Sequence, residues 1–229
     1  MYRPLLNGLI FMYVVLPVDD MGLAIILFTV LIRLILFPLA HFSLVSQRKM
    51  AIIQPKIKEI QEKYKDKKEE QSRKIMELYR DHKTNPFSGC LLLIVQLPIF
   101  IALFQVFRYG LDVSSFAYLY SFVSAPESIN TTFLGLIDMS QRSIALSILV
   151  GVSQFIQART MPQPTLAGPE KGELSFSHEF GKAMQTNMKY MLPIIMTVIS
   201  FSLPSALALY FTISNAFVIL QQMIVHRNQ

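Results

Sequence analysis

The chain has 229 residues, 52% of them hydrophobic and only 16% charged, with positive mean hydropathy and a formal charge of +6. A soluble domain carries charge at about a quarter of its positions, whereas here twelve of the 21 Lys and Arg fall between Arg48 and Lys83. That segregation excludes an ordinary soluble domain and indicates one integral membrane domain with a single hydrophilic insertion.

The start, MYRPLLNGLIFMYVVLPVDD, is apolar until Pro17, Asp19 and Asp20. It is too short to span and has neither a strong basic leader nor a clear small-residue cleavage site, so no cleavable signal peptide is expected. Residues 1–20 are read as an amphipathic helix lying in the membrane interface. The stretch GLAIILFTVLIRLILFPLAHF follows as the first span. Between Met21 and Leu39 its one full charge is Arg33, near the centre, where insertion costs about 2.5–3.5 kcal/mol.

Residues 50–83 read as two short helices. Ile53, Ile57, Ile60 and Tyr64 form one stripe at helical spacing, and Ile75, Leu78 and Tyr79 form another. The break falls near Asp66-Lys67-Lys68, which predicts an antiparallel hairpin. The twelve basic residues between Arg48 and Lys83 are interleaved with seven acidic ones, a pattern of solvated helix faces that argues against specific nucleic-acid binding. Attraction to anionic lipid headgroups is compatible with the net charge.

Phe87–Tyr109 is long enough to cross a bilayer, and Ser143–Gln157 is marginal. Tyr190–Val225 is apolar for 36 residues, too long for one span of about 20. Ser202-Leu203-Pro204-Ser205 divides that run into two helices joined by a tight turn. The count is five spans, or four if Ser143–Gln157 does not cross. With five spans and the N-terminus outside, 17 Lys/Arg lie in the cytoplasmic segments 46–86, 158–189 and 226–229. Three lie outside, namely Arg3, Arg108 and Arg142. This is a strong positive-inside bias.

Motifs for chemistry are missing. No Gly-rich phosphate loop, His-Glu-x-x-His or paired-Cys pattern occurs, so neither a cofactor nor an enzyme activity is expected. Cys90 stands alone and reads as a small packing residue. Ser200, Ser202 and Ser205 have no intramembrane His or Asp to activate them. None of the 15 carboxylates falls at a span centre, which disfavours a proton- or cation-coupled transporter. Arg33 is therefore a solitary cation. Snorkelling or bonding to backbone carbonyls is the plain account of it. A water-filled cavity open to something polar or negatively charged is the functional account, and it is the one favoured here. Thr29 lies one turn before Arg33 on the same face, with Gln96, Gln105, Gln154 and Gln157 as candidate lining.

With these residues in hand, the chain resembles the YidC-type membrane-protein insertases, of the YidC/Oxa/Alb family. The likeness runs from Tyr2 to Arg227. IILFTVLIRLILFPL resembles the family's first core helix, with Arg33 at the groove arginine. MAIIQPKIKEIQEKYKD and KIMELYRDHKTNPFSGCLLLIVQLPIFIALF resemble its cytoplasmic hairpin and second helix. The elements Gln54-Pro55, Asn85-Pro86, Gly89-Cys90 and Gln96-Leu97-Pro98-Ile99-Phe100 stand at family spacing. MLPIIMTVISFSLPSALALYFTISNAFVILQQ resembles the last two helices.

The resemblance implies an all-α integral membrane protein. Five core helices occupy residues 21–229, with the hairpin at 50–83 and an interfacial first helix. It implies a multi-pass protein of the bacterial inner membrane, N-terminus outside and C-terminus cytoplasmic, with a hydrophilic groove open to cytoplasm and lipid. Thr29 and Arg33 carry over as groove residues, and Gln154 or Gln157 would supply the third-helix contribution. Where the family often has Trp or Tyr, this chain has Phe211 beside Tyr210, so Tyr210 is the candidate substitute. The resemblance further implies nascent membrane proteins as substrates, the lipid bilayer as partner, and the ribosome and Sec translocon as further candidates. No large extracytoplasmic domain and no long basic extension past Val225 are expected, which would rest ribosome contact on the hairpin and the 158–189 loop. The implied function is insertion and folding of membrane proteins without nucleotide hydrolysis. A small transporter or anion channel built on Arg33 is the alternative, and a structural assembly factor overlaps the first reading.

Overall fold

The computed structural model describes residues 2–85, 88–109, 113–161 and 187–227. The expected 158–189 loop lies mostly outside the described residues. Among the described residues there are eight α-helices: α1 (Tyr2–Val15), α2 (Met21–Ile35), α3 (Phe37–Lys63), α4 (Lys68–Asp81), α5 (Ser88–Tyr109), α6 (Ile144–Thr160), α7 (Leu192–Ser200) and α8 (Ser205–Arg227). A π-turn, Asn187–Met191, leads into α7.

The principal packing surfaces are α8 on α6 and α2, α6 on α7, α1 on α2 and α5, and α3 on α5. Leu6, Leu9, Ile10 and Tyr13 of α1 join Ile25 and Phe28 of α2, Leu103 and Val106 of α5 and Leu207 of α8 in one core. The outward faces of the same helices are also apolar. Ile35, Ile94, Ile148, Ile194 and Leu220 are all more than half or about half exposed. A continuous apolar exterior on this scale is the surface of a protein that faces lipid rather than water. Among the described residues, Ser205–Val225 is one helix long and apolar enough to cross a membrane. The α2–α3 pair qualifies if counted as one bent span, and three shorter apolar helices accompany them.

The first span departs from expectation. It does not continue from Met21 to Leu39 as one rod: α2 ends at Ile35, and α3 leaves it at 63°. Pro38 sits in the first turn of α3, and without an N–H it cannot donate to the carbonyl one turn back, so the break falls just before it. Arg33 is consequently in the last turn of α2 rather than mid-span.

The first arm of the hairpin differs too, being the distal part of the 27-residue α3 and not a separate short helix. No Gly interrupts residues 37–63, and Pro55 withdraws a single donor. The expected break is present between Lys63 and Lys68. Tyr64 N donates to Ile60 O and Lys67 N to Tyr64 O, closing the turn into α4.

The extracytoplasmic side of the expected topology contains a β-hairpin that an all-α reading did not anticipate. β1 (Thr132–Phe133) pairs antiparallel with β2 (Ile137–Asp138), in register Thr132↔Asp138 and Phe133↔Ile137. Leu136 N donates to Phe133 O at 3.0 Å across Leu134 and Gly135, whose φ values of 51° and 68° supply the two left-handed positions of a type I′ turn. Asp138 accepts from both the hydroxyl and the backbone N–H of Ser140, and those bonds hold its carboxyl below the usual carboxylate range. Asp20 ties this segment to the bundle. One oxygen caps α2 by accepting from Leu23 N at 2.9 Å, and the other accepts from Leu134 N at 2.7 Å.

The expected turn between the last two helices is present at residues 201–204, with Pro204 just ahead of α8. The first N–H groups of α8 are taken by loop carbonyls, Ser205 N by Gln141 O at 2.7 Å and Ala206 N by Met139 O at 3.0 Å.

Gly22 lets the hairpin close onto α2, since a Cβ there would overlap the ring of Phe133. Gly22→Ala should lower stability by about 1–3 kcal/mol through overpacking. Thermal unfolding in detergent measures the loss, and Phe133→Ala in the same chain should make the two changes less than additive.

Candidate functional site

The inward face of α2 follows from its sequence. Ile25, Phe28, Thr29, Ile32 and Arg33 recur at helical spacing and are buried, while Leu27, Leu31, Leu34 and Ile35 face out. Arg33 is 9% exposed. As a cation in the last turn of α2 it meets the partly negative carbonyl end of the helix. Its Nε is buried without a hydrogen-bond partner among the described residues. The ion pairs among those residues, Lys67–Glu70 at 3.7 Å and Lys74–Glu77 at 2.7 Å, belong to the hairpin.

The inward face of α2 packs on α8. Tyr210 of α8 is buried at 2% exposure. Its hydroxyl accepts from Gln96 Nε2 of α5 at 2.7 Å. Phe211 turns elsewhere, with its ring 5.5 Å from that of Phe100. Of the two aromatic candidates, Tyr210 brings a polar tip into the buried interface and Phe211 packs against α5.

Further along α8 the polar side chains continue. Asn215 Nδ2 donates to Ser153 Oγ of α6 at 3.0 Å. Thr160 Oγ1 contacts Gln222 Oε1 and lies 2.9 Å from Gln157 O, bridging α8 to α6. Gln221 Nε2 donates to Phe37 O at 3.2 Å, across the α2–α3 bend. Gln157 Oε1, Ser214 Oγ and Gln222 Nε2 are buried without hydrogen-bond partners among the described residues. Buried polar atoms left unmatched cost about 1–3 kcal/mol each unless water or a ligand meets them. The arrangement is a buried polar column, spanning α2, α6 and α8, inside a bundle with an apolar exterior.

The sequence candidates distribute unevenly over this column. Arg33, Gln96, Gln157 and Tyr210 are in it. Thr29 is buried on the same face, but its hydroxyl donates to Ile25 O of its own helix at 2.6 Å. Gln154 and Gln157 are both half-buried, and the α6–α8 bridge uses only the backbone carbonyl of Gln157, which accepts from Thr160. Gln105 is exposed on the outside of α5 and does not line the interior, a correction to the expected lining. Ser153, Thr160, Ser214, Asn215, Gln221 and Gln222 were not singled out. The signal was present in the pairs Ser214/Gln221 and Asn215/Gln222, each seven apart within an apolar run, which places each pair on one helix face.

The chain matches the family model described as 60Kd inner membrane protein over residues 11–229. It is 36% identical over 211 residues to a protein of Francisella philomiragia named Membrane protein insertase YidC, covering 92% of this chain and 33% of that one. Proteins of the same name from Pelobacter propionicus and Citrifermentans bemidjiense are 33% and 31% identical over 227 residues. Each match covers 98% of this chain, and 38% and 36% of the relative. The chain thus spans little more than a third of the length of the curated relatives it matches.

The Asn215–Ser153 bond should couple α8 to α6 measurably. A double-mutant cycle with Asn215→Ala and Ser153→Ala, read by unfolding in mixed micelles, should give a coupling of about 0.6–1.7 kcal/mol, the range of interhelical hydrogen bonds in membrane bundles. A coupling of zero would mean that the bond does not hold these helices together.

Proposed function

The chain belongs to the 60Kd inner membrane protein family, and on that premise we propose that it is a membrane-protein insertase working without nucleotide hydrolysis. The observation that carries the reading is Arg33: a buried cation without a carboxylate partner among the described residues, at the head of a polar column within an apolar shell. In the proposed topology α2, α5, α6, the π-turn with α7, and α8 form five spans. The N-terminus and the β-hairpin are outside, the α3–α4 hairpin is cytoplasmic, and α1 lies in the outer interface. The column is then the lining of a groove entered from the cytoplasm.

The physics of such a groove follows from desolvation. Carrying a polar tail through hydrocarbon is costly because its groups lose water. A wet, polar path reaching part-way shortens the dry distance. Arg33 supplies a fixed positive charge along that path, and Tyr210 and Gln96 supply hydrogen-bonding groups. An acidic tail is drawn to the cation, and a membrane potential positive outside helps it outward. The apolar segment that follows leaves sideways into lipid, at about 25 cal/mol for each Å² of apolar surface removed from water. The unmatched buried atoms Gln157 Oε1, Ser214 Oγ and Gln222 Nε2 support the reading, since a hydrated groove satisfies them and a dry core does not. None of the three relatives named above is described as a transporter or channel.

The proposed substrates are nascent membrane proteins with short translocated tails. The cytoplasmic hairpin, with twelve basic and seven acidic residues between Arg48 and Lys83, is the proposed contact for a ribosome. A Sec translocon is a second proposed partner.

The test is made at Arg33. Arg33→Lys keeps the charge and should retain most insertion of an acidic-tailed substrate. Arg33→Ala should reduce it roughly tenfold, about 1.4 kcal/mol and well within the attraction of a fixed cation at short range. Protease protection of the tail in proteoliposomes reads insertion, and thermal stability in detergent reads folding. Full insertion by Arg33→Ala, or failure through unfolding alone, would make Arg33 a packing residue and defeat the mechanism.

A further inference from the structure

The β-hairpin carries an apolar tip that the proposed groove does not use. The register leaves Leu134, Gly135 and Leu136 as its loop. Leu136 is 84% exposed and Leu134 61%. Their neighbour Phe133 instead lies on Gly22 of α2, so the strand buries one apolar residue and displays the next. No charged residue occurs between Glu127 and Asp138. Leu134 also holds a φ of 51°, a left-handed conformation unfavourable to any residue with a side chain of this bulk. Turn positions of that kind ordinarily carry Asn, Asp or Gly. A leucine there displays apolar surface at the expense of local conformational ease.

The base of the hairpin is fixed to the bundle. Asn130 N donates to the Tyr13 hydroxyl at 2.8 Å, Asn130 Nδ2 to Asp19 O at 2.8 Å, and Met21 N to Asn130 O at 3.3 Å. These bonds fasten it at the end of α1, where Val14, Val15 and Val18 are exposed as well. The exposed tip and these exposed valines therefore belong to the same end of the bundle, joined through Asn130. Water is a poor neighbour for such a surface, and the headgroup–acyl boundary of a bilayer is a good one for uncharged apolar residues.

We propose that Leu134 and Leu136 insert into the lipid leaflet at the α1–α2 end of the bundle, anchoring the β-hairpin in the membrane surface. This rests on membrane residence of the chain and on neither the groove nor the action of Arg33. The partner is lipid, recognised by apolar contact rather than by charge.

The chain contains no tryptophan, so a single introduced one reports its own surroundings. Leu136→Trp and Leu134→Trp are reconstituted separately in phosphatidylcholine vesicles, with and without bromine on the upper acyl chains. Ile148→Trp, on the apolar exterior of α6, serves as the lipid-facing reference. Insertion should give blue-shifted emission from both tip variants that falls about twofold or more in brominated lipid. Red, unquenched emission from the tip beside a quenched Ile148→Trp would place it in water and overturn the proposal. Blue but unquenched emission would mean that protein covers the tip, and would overturn it equally. Loss of quenching at Ile148→Trp as well would overturn the span assignment together with the anchor.

Discussion

A guanidinium cannot lose its water inside an apolar bundle without some replacement, and the packing of α2 against α8 is arranged around that constraint. Arg33 is placed at the carbonyl end of its helix, and in the same bundle the Tyr210 hydroxyl of α8 is held by Gln96 of α5. The side chains that follow along α8 are polar because they continue the same interior: Asn215 reaches Ser153, and Gln222 meets Thr160. None of this needs a counter-ion. It needs helices that keep a polar stripe facing inward while their other faces are apolar enough for lipid, and α2 and α6 both do so.

The opposite end of the bundle is organised differently. There several polar groups tie loops to helices. Asp20 serves α2 and the β-hairpin at once, Asn7 accepts from Tyr120 N and donates to Tyr118 O, and loop carbonyls occupy the first N–H groups of α8. Ser205 Oγ is the buried polar atom left unmatched there among the described residues, whereas Gln157 Oε1, Ser214 Oγ and Gln222 Nε2 are unmatched along the rest of the α6–α8 interface.

Sequence reasoning reached the features set by composition over long windows. The apolar runs, the Ser202–Ser205 turn and the hairpin break near Lys67 all follow from hydropathy and from breakers at fixed places. Arg33 was legible because a charge is conspicuous among leucines. What was hidden depends on geometry over a few residues or on partners far apart in the chain. The bend at Leu36 was signalled by Pro38, but a proline near a span can equally be absorbed as a kink. The two-residue strands of the β-hairpin are too short to show alternation. That the Tyr210 hydroxyl meets Gln96 while the Phe211 ring meets Phe100 depends on partners far away in sequence, and that cannot be read from neighbours along the chain.

The continuity of α3 has a mechanical consequence. A helix of 27 residues is about 40 Å long, so α3 carries the Tyr64–Lys67 turn far from its start. Its inner end, Phe37, is held by Gln221, and a point farther out, Arg48, donates to Val225 O at 2.6 Å. Both attachments are to α8, the helix that carries Tyr210 and Asn215. A displacement of the α3–α4 arm therefore loads α8 through these two hydrogen bonds.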